Sequence, residues 1–212
     1  MSLSATEYFE SSRDDVARLV PPTCARVLDV GCGFGGLGRT LAKRGVHELY
    51  GVERNPDAPA RLEGLYRQHW IGDVETVVSR LPESHFDCVV FADILEHLVD
   101  PWTAVKRYAR LLKPDGVIVA SIPNVRNFAL LASLIVRGRW TYRDHGLLDR
   151  THLRFFTRTE IARLFEDAGF DIETWATNRD RYPLAVRLAG CVPLALIPDL
   201  SVVQFLVRAR RP

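Results

Sequence analysis

Residues 29–36, Asp-Val-Gly-Cys-Gly-Phe-Gly-Gly, are the stretch of this chain best suited to hold a ligand. Glycines in such a run permit a tight turn and let a ligand approach backbone N–H groups closely. Gly31, Gly33 and Gly36 also satisfy the G-x-G-x-x-G spacing of dinucleotide binders, so the glycines by themselves leave the ligand open. Glu53 could accept hydrogen bonds from a ribose and fits either kind of ligand. Two carboxylates favour one side. Asp29, just ahead of the first glycine, suits a cationic or amino-acid group better than a pyrophosphate. Asp73 stands where an adenine amino group would need an acceptor.

Histidine is the usual proton acceptor near neutral pH, and three are candidates for catalysis. His97 closes the run Asp93-Ile-Leu-Glu-His, and His152 lies within Asp149-Arg-Thr-His-Leu-Arg-Phe-Phe-Thr157, with His145 close to it in sequence. Two of them also have a plain structural reading. His97 reads as a residue starting a helix and bonded to backbone, His152 as one that holds its loop.

The elements that must carry these residues alternate between apolar strand runs and helical patterns, which marks an α/β domain. Strands are expected at 26–30, 48–52, 69–72, 86–92, 117–122, 170–177 and 202–208. Helices are expected at 5–20, 37–44, 58–65, 74–81, 101–112, 128–136 and 157–168, with a broken one at 182–196. Thr157 and Glu160 have the spacing of a capping box. Lys113-Pro-Asp-Gly116 is a breaker cluster that should stop the fifth helix. The 212 residues fit one domain, 1–212. Net charge is +2, from 28 basic and 26 acidic residues, which argues against nucleic acid as partner. Cys24, Cys32, Cys88 and Cys191 form no C-x-x-C pair, which suggests neither zinc nor a disulfide framework. No run reaches the roughly 18 apolar residues of a membrane span. With no secretory signal pattern either, a cytoplasmic, reduced setting is expected.

The ordered segments VLDVGCGFGG, GVERN, IGDVE, FDCVVFADILEHLVDP and LLKPDGVIVASIPN resemble the Rossmann-like (class I) S-adenosylmethionine-dependent methyltransferases over about residues 25–175. The resemblance implies a seven-stranded sheet of order 3-2-1-4-5-7-6, strand 7 antiparallel, with helices on both faces. It implies S-adenosylmethionine as cofactor. Asp29, Gly31, Gly33 and Gly35 would contact its methionine moiety, flanked by Ala92 and Asp93. Glu53 would hold both ribose hydroxyls. Asp73 and the backbone of Val74 would read the adenine edge, with Arg54 packed over the ring.

Asp93-x-x-Glu96-His97 is similar to the E-x-x-E-H pattern of metal-assisted O-methyltransferases, including those of ubiquinone biosynthesis and of small-RNA 3′ ends. On a helical turn those positions share one face, with His152 as a further ligand. Asp in place of the first Glu shortens the reach, so no metal is assigned. Residues 123–156 read as a substrate-recognition or lid insertion, apolar through Phe128–Val136 and then rich in arginine and aromatics. GLLDRTHLRFFT resembles a subgroup found among sugar and polysaccharide biosynthesis enzymes. The expected acceptor is therefore a small hydroxylated molecule, such as a sugar, a glycan precursor or a quinone-like metabolite, free or lipid-linked. Alternatives are N-methylation, a non-catalytic S-adenosylmethionine-binding module and a nicotinamide-dependent oxidoreductase. Either a monomer or a homodimer is expected.

Overall fold

The computed structural model describes residues 13–179 and 198–211, so the expected helix at 182–196 and the first half of the one at 5–20 lie outside the described residues. Seven strands form a single sheet: β1 (Arg26–Val30), β2 (Glu48–Glu53), β3 (Gln68–Ile71), β4 (Phe86–Ala92), β5 (Leu112–Pro123), β6 (Asp171–Arg179) and β7 (Val202–Arg210). Their order is β3-β2-β1-β4-β5-β7-β6. Neighbours from β3 to β5 run parallel, and β7 runs antiparallel to both β5 and β6. The helices are α1 (Asp14–Ala17), α2 (Gly36–Lys43), α3 (Pro59–Leu62), α4 (Val74–Val77), α5 (Pro101–Ala109), α6 (Phe128–Arg137) and α7 (Arg158–Glu166).

The central strands bury both faces, which is why β1 and β4 read as unbroken apolar runs. Leu28, Val30, Val89 and Phe91 face one cluster with Val105 of α5 and Ile161 and Phe165 of α7. Val27, Cys88 and Val90 face the other, with Leu37 and Leu41 of α2 and Leu62 of α3. Helices therefore cover both faces. No helix among the described residues is long and apolar enough to cross a membrane.

The breaker cluster 113–116 acts differently from its sequence reading. α5 ends at Ala109, and β5 already pairs Leu112 with Phe86. Asp115 takes a left-handed φ of 64°, and the pairing resumes at Cys88 and Val117 after a register shift. The turn thus interrupts a strand instead of ending a helix. At α7 the cap is half a capping box. Thr157 Oγ1 accepts the Glu160 N–H at 3.4 Å, while Glu160 Oε1 pairs with Arg163 at 3.0 Å.

Candidate functional site

The glycine turn is drawn onto the end of β2. Gly31 and Cys32 N–H both donate to the Val52 carbonyl, at 2.7 and 3.0 Å. Gly31, Gly33 and Gly35 adopt φ of 76°, 52° and 81°, the left-handed region that favours glycine. Space excludes a side chain as well. A Cβ on Gly31 would stand 2.1 Å from Ile94 Cδ1, and one on Gly35 2.7 Å from Leu65 Cδ2.

Glu53 ties this turn to the next loop. Its Oε2 accepts Gly33 N–H at 2.8 Å, and its Oε1 accepts Arg54 and Asn55 N–H, both at 2.8 Å. A carboxylate has about four lone-pair sites, so Oε2 keeps one for a donor from outside. Asp73 caps α4 with one oxygen, accepting Glu75 N–H at 2.8 Å, and is exposed. The Val74 carbonyl is taken by the Tyr108 hydroxyl at 3.0 Å, which leaves its N–H. Arg54 is exposed beside Glu53. A backbone cradle, a fixed acceptor at the end of β2 and a second at the end of β3 fit a nucleoside laid across the carboxyl edge of the sheet.

Asp29 is buried and accepts the Tyr66 hydroxyl at 2.7 Å. Tyr66 reaches it past two glycines. A Cβ on Gly38 would lie 2.3 Å from its hydroxyl, and one on Gly51 3.2 Å from its ring. Burial, reinforced by the nearby Glu53 charge, pushes the Asp29 carboxyl up to about 7. An unfolded aspartate titrates near 3.9, so between those values the folded chain holds a proton that the unfolded chain has released. Stability contributed by this group is therefore present at low pH and lost as pH rises through 7. Asp29→Asn keeps the acceptor for Tyr66 and removes the titration. It should gain up to about 4 kcal/mol relative to wild type between pH 4 and pH 8 in urea unfolding. A constant difference between the two proteins across that range would refute the assignment.

Beyond β4 the expected shared face of 93, 96 and 97 does not form. Asp93 takes a left-handed φ of 57°, and the one-turn 3-10 helix starts only at Leu95. The Asp93 carboxylate turns toward β5 and β7. It accepts Ser121 Oγ at 2.7 Å and Gln204 Nε2 at 2.8 Å, and forms an ion pair with Arg13. Arg13 also donates to Ser121 Oγ at 2.9 Å. Such backbone outliers persist only where surroundings hold them, and they cluster at functional sites.

Glu96 turns the other way, into a buried space, and neither carboxylate oxygen has a hydrogen-bond partner among the described residues. His152 Nε2 lies 4.0 Å from its Oε1. His152 Nδ1 sits 3.2 Å from the Leu147 carbonyl, which assigns the ring proton to Nδ1 and leaves Nε2 bare. His97 stacks edge-on to His152, ring centres 4.7 Å apart, with its Nδ1 3.2 Å from the Thr151 carbonyl. Ligand atoms of Glu96, His97 and His152 lie within 4.8 Å of one another. Burial, then the Asp93 charge, raises the Glu96 carboxyl well above the carboxylate range. Burial, then His97, holds the His152 imidazole below its usual range. An unpaired buried carboxyl is costly, and it faces a bare imidazole nitrogen. That arrangement can take up a proton or a cation.

Of the three candidate histidines, the fold joins His97 and His152 and leaves His145 on an exposed turn. Arg13, Ser121, Gln204, Tyr66 and Ile94 also build this edge and were not singled out from sequence. The small residues Gly38 and Gly51 are the trace Tyr66 leaves in the sequence. Arg13 leaves none.

A family profile described as "Methyltransferase domain" matches residues 5–174. A ubiquinone biosynthesis O-methyltransferase of Xylella fastidiosa is 32% identical over 166 residues, covering 76% of this chain and 66% of that protein. One of Xanthomonas campestris is 33% identical over 185 residues, covering 79% of this chain and 74% of that one. The match to several such relatives spans just under two thirds of their length, at 62–66%. In fold, the chain is similar to an S-adenosylmethionine-dependent methyltransferase of Archaeoglobus fulgidus, with TM-score 0.69, 21% identity and 97% of each chain covered. It is also similar to a Burkholderia thailandensis N1-methyltransferase solved with S-adenosylhomocysteine, with TM-score 0.63, 20% identity, and 98% of this chain and 81% of that one covered.

Proposed function

This chain belongs to the class I S-adenosylmethionine-dependent methyltransferases, and from that premise we propose that it methylates a hydroxyl of a small acceptor, with His152 taking the proton. The carrying observation is the bare Nε2 of His152 facing the partnerless Glu96 carboxyl at the carboxyl end of β4. S-adenosylmethionine, when bound, supplies a methyl already activated by its sulfonium. The chain must align the acceptor and remove its proton. Alignment is worth roughly 7–11 kcal/mol in favourable cases, and a placed base contributes about 10²–10⁴-fold. Transfer of that methyl to the acceptor oxygen would break its bond to sulfur and leave S-adenosylhomocysteine. The hydroxyl proton passes to Nε2, beside which the Glu96 carboxyl lies 4.0 Å away.

In this reading Gly31, Gly33 and Gly35 seat the methionine end, Glu53 holds the ribose, and Asp73 with Val74 N–H reads the adenine. Asp29 acts from behind the turn through Tyr66, and Asp93 with Arg13 forms the wall beside the methyl. Residues 123–156 cover the acceptor. The names of the relatives support O-methylation, and a sugar, glycan precursor or quinone-like metabolite offers the hydroxyl that this chemistry needs. Saturating S-adenosylhomocysteine should raise the Tm by about 5–10 °C, as expected for about 100-fold excess over Kd. A rise with NAD and none with S-adenosylhomocysteine would sink the reading.

A second reading has its own observation, the convergence of Glu96, His97 and His152 ligand atoms. These residues suit a divalent cation, which would lower the pKa of an acceptor hydroxyl. Asp93 takes no part, being held by Arg13, Ser121 and Gln204. Calorimetric titration of the S-adenosylhomocysteine-loaded protein with Mg²⁺, Mn²⁺ and Zn²⁺ decides between the two readings. Heat lost on Glu96→Ala favours the cation, and no heat leaves His152 as the base.

A further inference from the structure

Every large hydrophobic side chain exposed among the described residues falls within 99–155. Val99 and Trp102 lie on one stretch, and Leu134 through Phe155 on another. The structure ties the two together. Leu153 and Arg154 N–H both donate to the Glu96 carbonyl, at 2.8 and 3.0 Å. The Arg154 guanidinium donates to the Val99 carbonyl and lies 5.8 Å over the Trp102 ring. Trp140 meets Phe155 at 5.4 Å.

α6 supplies the most protruding part. It is apolar except for Ser133 and Arg137, yet Leu130 is its one buried residue. Ile135 and Val136 are each 79% exposed. A surface helix normally turns its apolar side to the core, as α5 and α7 do. This one turns it outward. The charge around it is one-sided. Residues 116–143 contain no aspartate or glutamate but carry Arg126, Arg137, Arg139 and Arg143, in a chain whose net charge is +2.

We propose that α6 and the adjoining arginine-rich segment dock this protein on an anionic lipid surface. Ile135 and Val136 would enter the acyl boundary, Trp102 and Tyr142 would sit at headgroup level, and the arginines would meet the lipid phosphates. The charge favours this occupant over a second copy of the chain. A two-fold dimer through this face would bring each arginine cluster against its own twin. A lipid surface supplies the missing anions. The docking uses part of the 123–156 segment that the methyl-transfer reading places over the acceptor, and its test reads sedimentation, on which the proposed base has no bearing.

The test is co-sedimentation of the whole chain with vesicles. Mixed phosphatidylcholine–phosphatidylglycerol vesicles should carry down at least about tenfold more protein than pure phosphatidylcholine, less so at high salt. The double variant Ile135→Asp, Val136→Asp should stay in the supernatant with an unchanged Tm, since both positions are exposed. Arg137→Glu with Arg139→Glu should lose the preference for phosphatidylglycerol. Equal sedimentation with both vesicle types, or binding indifferent to Ile135 and Val136, would overturn the proposal. So would a concentration-dependent dimer that the double variant abolishes.

Discussion

His152→Ala should lower kcat by about 10²–10⁴-fold, the usual contribution of a placed general base. KM for S-adenosylmethionine should hardly change, because His152 lies beyond β4 and away from the glycine turn. The pH profile gives the sharper readout. Burial and His97 hold the imidazole low, so the acidic limb of wild-type kcat/KM should fall below the ordinary histidine range near 6.5. That limb should vanish in His152→Ala. Glu96→Gln should lower kcat less, since a neutral amide fills the same buried space as the protonated carboxyl. Unchanged kcat in His152→Ala would remove it from the chemistry and leave the acceptor to be deprotonated by other means.

Glu53→Ala should weaken S-adenosylhomocysteine binding by about tenfold to a hundredfold. A ribose hydroxyl on the one free site of the carboxylate contributes about 1.5–3 kcal/mol, and every 1.4 kcal/mol is a tenfold change in Kd. The variant also frees Gly33, Arg54 and Asn55 N–H from their shared acceptor, so the turn itself should loosen. Glu53→Gln separates the effects. Its one amide oxygen can keep the Arg54 and Asn55 N–H bonds, while its NH2 accepts from neither Gly33 N–H nor a ribose hydroxyl, so the loop should hold and binding should still be weak. Calorimetric titration reads both, and an unchanged Kd in the glutamine variant would exclude Glu53 as the ribose acceptor.

Residue pattern made some of this legible and not the rest. β1 and β4 keep the bounds expected of them, because both faces of those strands are buried and each run ends at a turn. The sheet order and antiparallel β7 follow from the motif series, whose sequence carries the fold along with the cofactor. Asp93, Glu96 and His97 were harder. Their spacing suits one helical face, but a left-handed residue at 93 aims the first carboxylate at Arg13 and leaves Glu96 to face His152. Backbone sign at a non-glycine residue has no sequence mark. The meeting of His97 and His152 was equally hidden, since residues 55 apart are brought together by two backbone bonds to the Glu96 carbonyl.

The knot of polar side chains around Asp93 bears on the order in which the molecule assembles. Arg13 meets Asp93 across 80 residues, Gln204 meets it across 111, and Asn178 reaches Asp15 across 163. Closing loops of that length costs entropy before any contact rewards it. The polar knot around Asp93 is therefore expected to form only after the parallel half of the sheet has recruited β6 and β7. By the same reasoning it is among the first parts to open in the native state, so amides at 13–15 and 93 should exchange faster than those of β1 and β4. The half of the site proposed to receive the acceptor is thus expected to be kinetically younger than the half proposed to seat the cofactor.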